Sequence, residues 1–182
     1  SEGFELIKLL IAGILTLSFT VQLPKDSKPE DMLLLAKLAC SEAGTNRAES
    51  KRVLRVVYNR AKHRRTSVIK EATRPYQFAY KNCTGKREKW LRWFHFEFAL
   101  ETLSGNIKAE AAINNKATYF GTTIRLSQPH SRCIGFTIRE VWQYYGLRKV
   151  LTTEVGHEYY RKGKGSPGCP KKETSPESQV IK

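Results

Sequence analysis

A carboxylate stands where an apolar residue is expected in the stretch LLLAKLACSEAGTNRAES, Leu33 to Ser50. Leu35, Leu38, Ala39 and Glu42 lie at i, i+3, i+4 and i+7, one stripe of an α-helix. Gly44 follows two residues later, so the acid falls at a helix C-terminus beside a turn that opens a cleft. A carboxyl group among apolar neighbours has its charged form disfavoured and holds a proton near neutral pH. A general acid that protonates a poor leaving group, such as a glycosidic oxygen, needs that property. The plainer alternative is a surface glutamate paired with Arg47.

Other reactive side chains are few. Cys40 precedes Ser41 in a Cys-Ser pair, but a nucleophilic thiol prefers a helix N-terminus, and Cys40 lies near the opposite end. It reads better as a buried or disulfide-bonded cysteine. Cys40, Cys83, Cys133 and Cys169 show no CxxC spacing, so a structural zinc is not expected and no metal or cofactor is assigned. Two bridges are open to them, in three pairings. Trp90, Trp93, Phe94, Phe96 and Phe98 crowd one helix and read as core, although aromatic faces also stack on sugars.

The elements that must position these groups follow from caps and periodicity. Ser27 and Glu30 form a capping box for a helix from about Lys28 to Ala43. Asn46 and Glu49 repeat the signature for a second helix, with Val53, Val56, Val57 and Ala61 facing the core and Glu49 free to face solvent. Residues 64–75 read as a polar connection, and PYQFAY, Pro75 to Tyr80, as an extended segment. KREKWLRWFHFEFALETLSG makes a third helix closed by Gly105. IKAEAAI and TIREVWQYYG read as short helices, and ATYF, Ala117 to Phe120, and TTEVGHEYY, Thr152 to Tyr160, as short strands. The class is α+β, mainly helical, with a small β element.

The chain has 182 residues, 40% of them hydrophobic, enough for one domain with appendages. Its 32 Lys+Arg against 17 Asp+Glu give a net charge of +15. Such a surface seeks polyanions: anionic envelope polymers, lipid headgroups or nucleic acid. No helix-turn-helix, RNP or zinc-finger signature supports nucleic acid. Residues 1–24 contain a hydrophobic run, Leu6 to Leu23, with Lys8 its only charge. Residues 4–23 read first as a signal-anchor or membrane-inserting helix, with a cleaved signal and a buried core helix as alternatives. Residues 25–162 form the expected domain, and residues 163–182, rich in Gly, Pro, Ser and charge, a disordered basic tail.

The order of motifs resembles the SleB-type cell wall hydrolases, the spore-cortex-lytic enzyme family. Members open with an apolar helix ending in Glu-Ala, then a turn, then an apolar helix ending in Asn-Arg; Glu42–Ala43, Gly44–Asn46 and Val53–Arg60 match. Gln77–Phe78 matches a Gln-Phe pair, and Ala117–Phe120 an Ala-x-Tyr-Phe segment. Gly156, His157, Tyr159, Tyr160 and Arg161 approach the closing signature. Two departures stand out. Thr45–Asn46–Arg47 replaces the usual Gly-Glu-Pro, which leaves Glu42 the only acid at the turn, and Gly121–Thr122 replaces Asn-Pro after Tyr-Phe.

The resemblance implies a lysozyme-like, lytic-transglycosylase-like fold that cleaves peptidoglycan glycan strands. It implies Glu42 as acid and then base, and Gln77, Phe78, Tyr119, Phe120, His157 and Tyr160 as substrate-binding candidates. A second acid from Glu97, Glu101 or Glu154 stays open. The setting it implies is the cell envelope, periplasmic or membrane-anchored, in a phage lysis or virion protein or a small bacterial enzyme. The rivals are a non-enzymatic basic binding module and a degenerate member that binds glycan without cutting it.

Overall fold

The computed structural model describes residues 23–75, 77–78, 83–114, 117–166 and 168–171. The expected membrane segment, residues 4–23, lies almost wholly outside them. No helix among the described residues is long and apolar enough to cross a membrane.

Helix α1 (Pro29–Ala43) starts at a proline, as a first-turn residue can. Its cap differs from the expected Ser27–Glu30 box: the Lys28 N–H donates to Asp31 Oδ2 at 3.0 Å, one residue later. Gly44 takes φ +57° and ends the helix. Helix α2 (Arg47–Arg64) begins on Asn46, whose side chain accepts from the Glu49 N–H at 3.0 Å. A short helix α3 (Val68–Ala72), capped by Ser67, occupies the stretch expected to be a connection. The long aromatic helix is broken: a 3-10 turn (Gly85–Trp90) precedes α4 (Trp93–Leu103).

The core forms where α1, α2 and α4 pack together. Leu35, Leu38, Val53, Leu54, Val57 and Phe98 are buried there. The aromatic helix is core on one side only: Phe94 and Phe98 are buried, while Trp93 is 67% exposed under the Arg47 guanidinium, 4.6 Å from its ring centre.

The second half supplies α5 (Ala111–Asn114), β1 (Tyr119–Thr122), α6 (Thr123–Leu126), α7 (Ile138–Tyr144), β2 (Leu147–Thr152) and β3 (His157–Lys162). The antiparallel sheet has the order β1-β3-β2, with Tyr119 opposite Tyr160 and Thr122 opposite His157. TTEVGHEYY is not one strand. It holds the end of β2, a turn closed by Gly156 at φ +78°, and β3. The Thr137–Glu140 capping box starts α7.

The tail expected from Gly163 is tied down over its described part. The Gly163 N–H donates to Gly146 O at 2.8 Å, the Ser166 N–H donates to Tyr144 O at 3.1 Å, and Cys169 is bonded to Cys133. The second disulfide joins Cys40 to Cys83, so Cys40 is a bridge and not a nucleophile.

Candidate active site around Glu42

The stripe read from the sequence is real. Leu35, Leu38 and Ala39 are fully buried, and Glu42, one turn further, is half-buried at the lip of a pocket. That pocket, about 510 Å³, is lined by Glu42, Gln77, Phe78, Phe120, Arg125 and His157, among others. The structure thus brings together Glu42 and four of the six other predicted residues, from four separate stretches of chain. Glu42 is the only carboxylate that lines the pocket among the described residues.

The two remaining candidates sit elsewhere. Tyr119 lines the adjoining cleft of about 620 Å³, which shares Gln77, Phe120, Gly121 and Arg125 with the Glu42 pocket. Tyr160 is fully buried; its hydroxyl donates to Glu158 Oε2 at 2.5 Å and its ring packs on Trp142. Its place is beneath the cleft rather than on its surface.

Three sets of contacts hold the Glu42 wall. The Cys40–Cys83 bridge ties the helix two residues before Glu42 to the chain following the Gln77–Phe78 segment. The fully buried His95 accepts the Arg92 N–H at Nδ1, 2.9 Å, so its Nε2 carries the proton and donates to Gly44 O at 2.9 Å. Burial pushes the His95 pKa down, which keeps the ring neutral for this task. Lys37 on α1 also pairs with Glu88 at 2.9 Å.

The opposite wall rests on Glu49. Expected to face solvent, it is 1% exposed. Oε2 accepts from His157 Nδ1 at 2.8 Å and from the Tyr159 hydroxyl at 2.6 Å, and Oε1 from Arg52 Nη1 at 2.6 Å. Burial alone would raise its pKa, but the bonds from His157, Tyr159, Thr153 and Arg52 outweigh it and pull the value down to about 2. A carboxylate can only accept, so His157 Nδ1 carries a proton, and in the neutral ring Nε2 does not. Phe120 packs on His157, Tyr159 and Phe78, with ring centres 5.9, 5.8 and 6.2 Å away.

Arg60 positions the third wall and was not singled out from sequence. It is 5% exposed, and its Nε lies 2.9 Å from Oε1 of the fully buried Glu71. Its Nη2 donates to the Gln77 side chain, and its guanidinium lies 5.0 Å from the Phe78 ring centre and 5.3 Å from that of Tyr119. A signal for it existed. Val53, Val56, Val57 and Arg60 repeat the i, i+3, i+4, i+7 pattern that marked Glu42, and Glu49 lies on the same stripe.

The other open acids do not reach the pocket. Glu97 pairs with Arg47 at 3.0 Å and Glu101 with Lys51 at 3.1 Å, while Glu154 lines a separate hollow beside Thr153. No group of His, Cys, Asp and Glu suited to a metal occurs among the described residues. Comparison of the chain with known protein families, curated proteins and solved structures finds no match.

Proposed function

We propose that the chain cleaves the glycan strands of peptidoglycan, as a lysozyme-like lytic transglycosylase or muramidase. The observation that carries this reading is the gathering of Glu42, Gln77, Phe78, Phe120 and His157 around one pocket in which Glu42 is the sole lining acid among the described residues. The SleB-type order of motifs supports it, because those motifs are the ones that converge.

In the proposed reaction the protonated Glu42 gives its proton to the glycosidic oxygen as the bond to the anomeric carbon breaks. The sugar's 6-hydroxyl then attacks that carbon and returns its proton to the Glu42 carboxylate, leaving a 1,6-anhydro end. A water in place of the 6-hydroxyl gives an ordinary reducing end. The stacked pair Phe78 and Phe120 offers apolar faces to a sugar ring, and Gln77, fixed by Arg60, a polar contact. His157 Nε2 can accept from a sugar hydroxyl.

Two disulfides favour an oxidising compartment, which supports a cell-envelope setting in a phage lysis or virion protein or a small bacterial enzyme. The +15 charge supports retention on anionic envelope polymers or lipid headgroups. Zymography on purified peptidoglycan tests the reading. Glu42→Gln keeps the shape and removes the acid, so clearing is expected to vanish; a Glu42→Gln variant that clears like wild type refutes the assignment. Mass spectrometry of the released fragments separates anhydro from reducing ends.

A further inference from the structure

Trp90 and Trp93 stand in water. Trp90 ends the 3-10 turn and is 39% exposed, and Trp93 opens α4 and is 67% exposed. Neither lines the Glu42 pocket or the cleft beside it. The run that holds them, GKREKWLRW, has four basic residues, Lys86, Arg87, Lys89 and Arg92, against one acid, Glu88. Glu88 is turned to Lys37 of α1 at 2.9 Å. Arg87, Lys89 and Arg92 are exposed and have no carboxylate within ion-pair distance among the described residues. The Arg87 guanidinium lies 5.5 Å from the Trp90 ring centre, as that of Arg47 lies beside Trp93. Each indole therefore has a cation next to it.

A headgroup layer suits this pairing. An indole settles there with its ring toward the acyl chains and its N–H among polar groups, while neighbouring Lys and Arg meet lipid phosphates. The place of the ridge in the fold points the same way. Leu33, 40% exposed, and Lys37 lie one turn apart on one face of α1. The Lys37–Glu88 pair joins that face to the ridge. Because α1 begins at Pro29, Lys37 lies about 12 Å along the helix axis from the end that follows the hydrophobic run Leu6–Leu23.

We infer that the ridge from Arg87 to Trp93, with Leu33 beside it, is a docking surface for an anionic lipid bilayer. Net charge alone does not separate lipid from soluble polyanions. Exposed indoles among unpaired cations, close to where an apolar run joins the domain, favour lipid and fix which side of the domain faces it. The inference is independent of the cleavage reaction.

The full chain is placed in vesicles of phosphatidylcholine alone, or of phosphatidylcholine and phosphatidylglycerol in equal parts, with brominated acyl chains that quench a tryptophan at the interface. In the mixed vesicles the emission is expected to shift to the blue and to lose the contribution of Trp90 and Trp93; in neutral vesicles it is expected to stay unquenched. Trp90→Phe with Trp93→Phe is expected to abolish the quenching. Arg87→Gln, Lys89→Gln and Arg92→Gln together are expected to lower the ratio of docked to free ridge about a hundredfold, about fivefold for each basic side chain at an anionic surface. Absence of quenching in the mixed vesicles overturns the inference. Equal quenching in both vesicles, or quenching that survives the triple substitution, overturns it too, because the cations then have no part. An indole shift produced by murein strands or a single-stranded oligonucleotide, and not by the mixed vesicles, gives the ridge to that polymer and overturns it. Zymography of the same variants tests the cleavage separately: docking without clearing by wild type keeps the ridge and sinks the cleavage.

Discussion

Replacing Glu49 by glutamine tests whether its charge holds the His157 wall, as opposed to the packing around it. The magnitude follows from the geometry. Glu49 is 1% exposed and accepts from His157, Tyr159 and Arg52, which bring its pKa from 4.5 to about 2 despite the opposing effect of burial. At about 1.4 kcal/mol per pH unit, that difference is worth about 3 kcal/mol of stability. The sign is fixed by the direction. A folded-state pKa below the unfolded one gives stability that is present above about pH 4.5 and lost as pH falls through about 2. Urea unfolding followed by tryptophan fluorescence at a series of pH values measures it. At about pH 7 the Glu49→Gln chain is expected to be less stable by about 3 kcal/mol, and the gap to wild type should close as the pH approaches about 2. Glu110 and Glu158 also have lowered pKa values and steepen the acid limb of both proteins, so the difference between the two curves is the measurement. A gap that is the same at about pH 7 and about pH 2.5 would refute the reasoning, because it would assign the loss to shape alone.

Two further outcomes are expected. The Cys40–Cys83 bridge closes a loop of 43 residues, so Cys83→Ser should cost about 4 kcal/mol in urea unfolding and loosen the Glu42 wall, slowing cleavage in a zymogram run on folded protein. Arg60→Met leaves the fully buried Glu71 with Arg64 alone and should destabilise by about 3 kcal/mol, whereas Arg60→Lys retains the charge, so its effect on the proposed cleavage reads the guanidinium's contacts to Gln77, Phe78 and Tyr119 together.

Much of the frame was legible because local chemistry decides it. Gly44, Asn46 and the Thr137–Glu140 pair mark their helix ends in the sequence, and the structure uses each. Where it was not legible, a distant partner had decided the outcome. Glu49 sits in the position of a capping residue, yet His157 and Tyr159, more than a hundred positions later, draw its side chain inward. The strand expected over Thr152–Tyr160 is interrupted by a turn closed at Gly156, because the preceding run LRKVLT, whose register with β3 shifts between Lys149 and Leu151, folds back as its partner strand. The described start of the tail is ordered by Cys133, which composition alone does not reveal. Within the site, Glu42 was legible from its stripe, and Arg60 carried the same signal at the end of α2, where the sequence marks it only as the close of the Val53–Arg60 motif.

The chemistry of the pocket turns on how few acids it has. A glycosidase working with two carboxylates needs the second within roughly 5 to 9 Å of the first, across the sugar. Glu49 is the neighbour best placed in sequence, but its oxygens already accept from three side chains, and a group ionised down to about pH 2 is a weak base. Glu97 and Glu101 are turned to Arg47 and Lys51. In the proposed reaction this leaves Glu42 to give and take the proton, and a neutral hydroxyl as the nucleophile. His157 donates from Nδ1 to Glu49, and in its neutral form Nε2 has a lone pair that can orient such a hydroxyl. In the same proposed reaction the stacked Phe78 and Phe120 rings offer a sugar an apolar face beside Glu42.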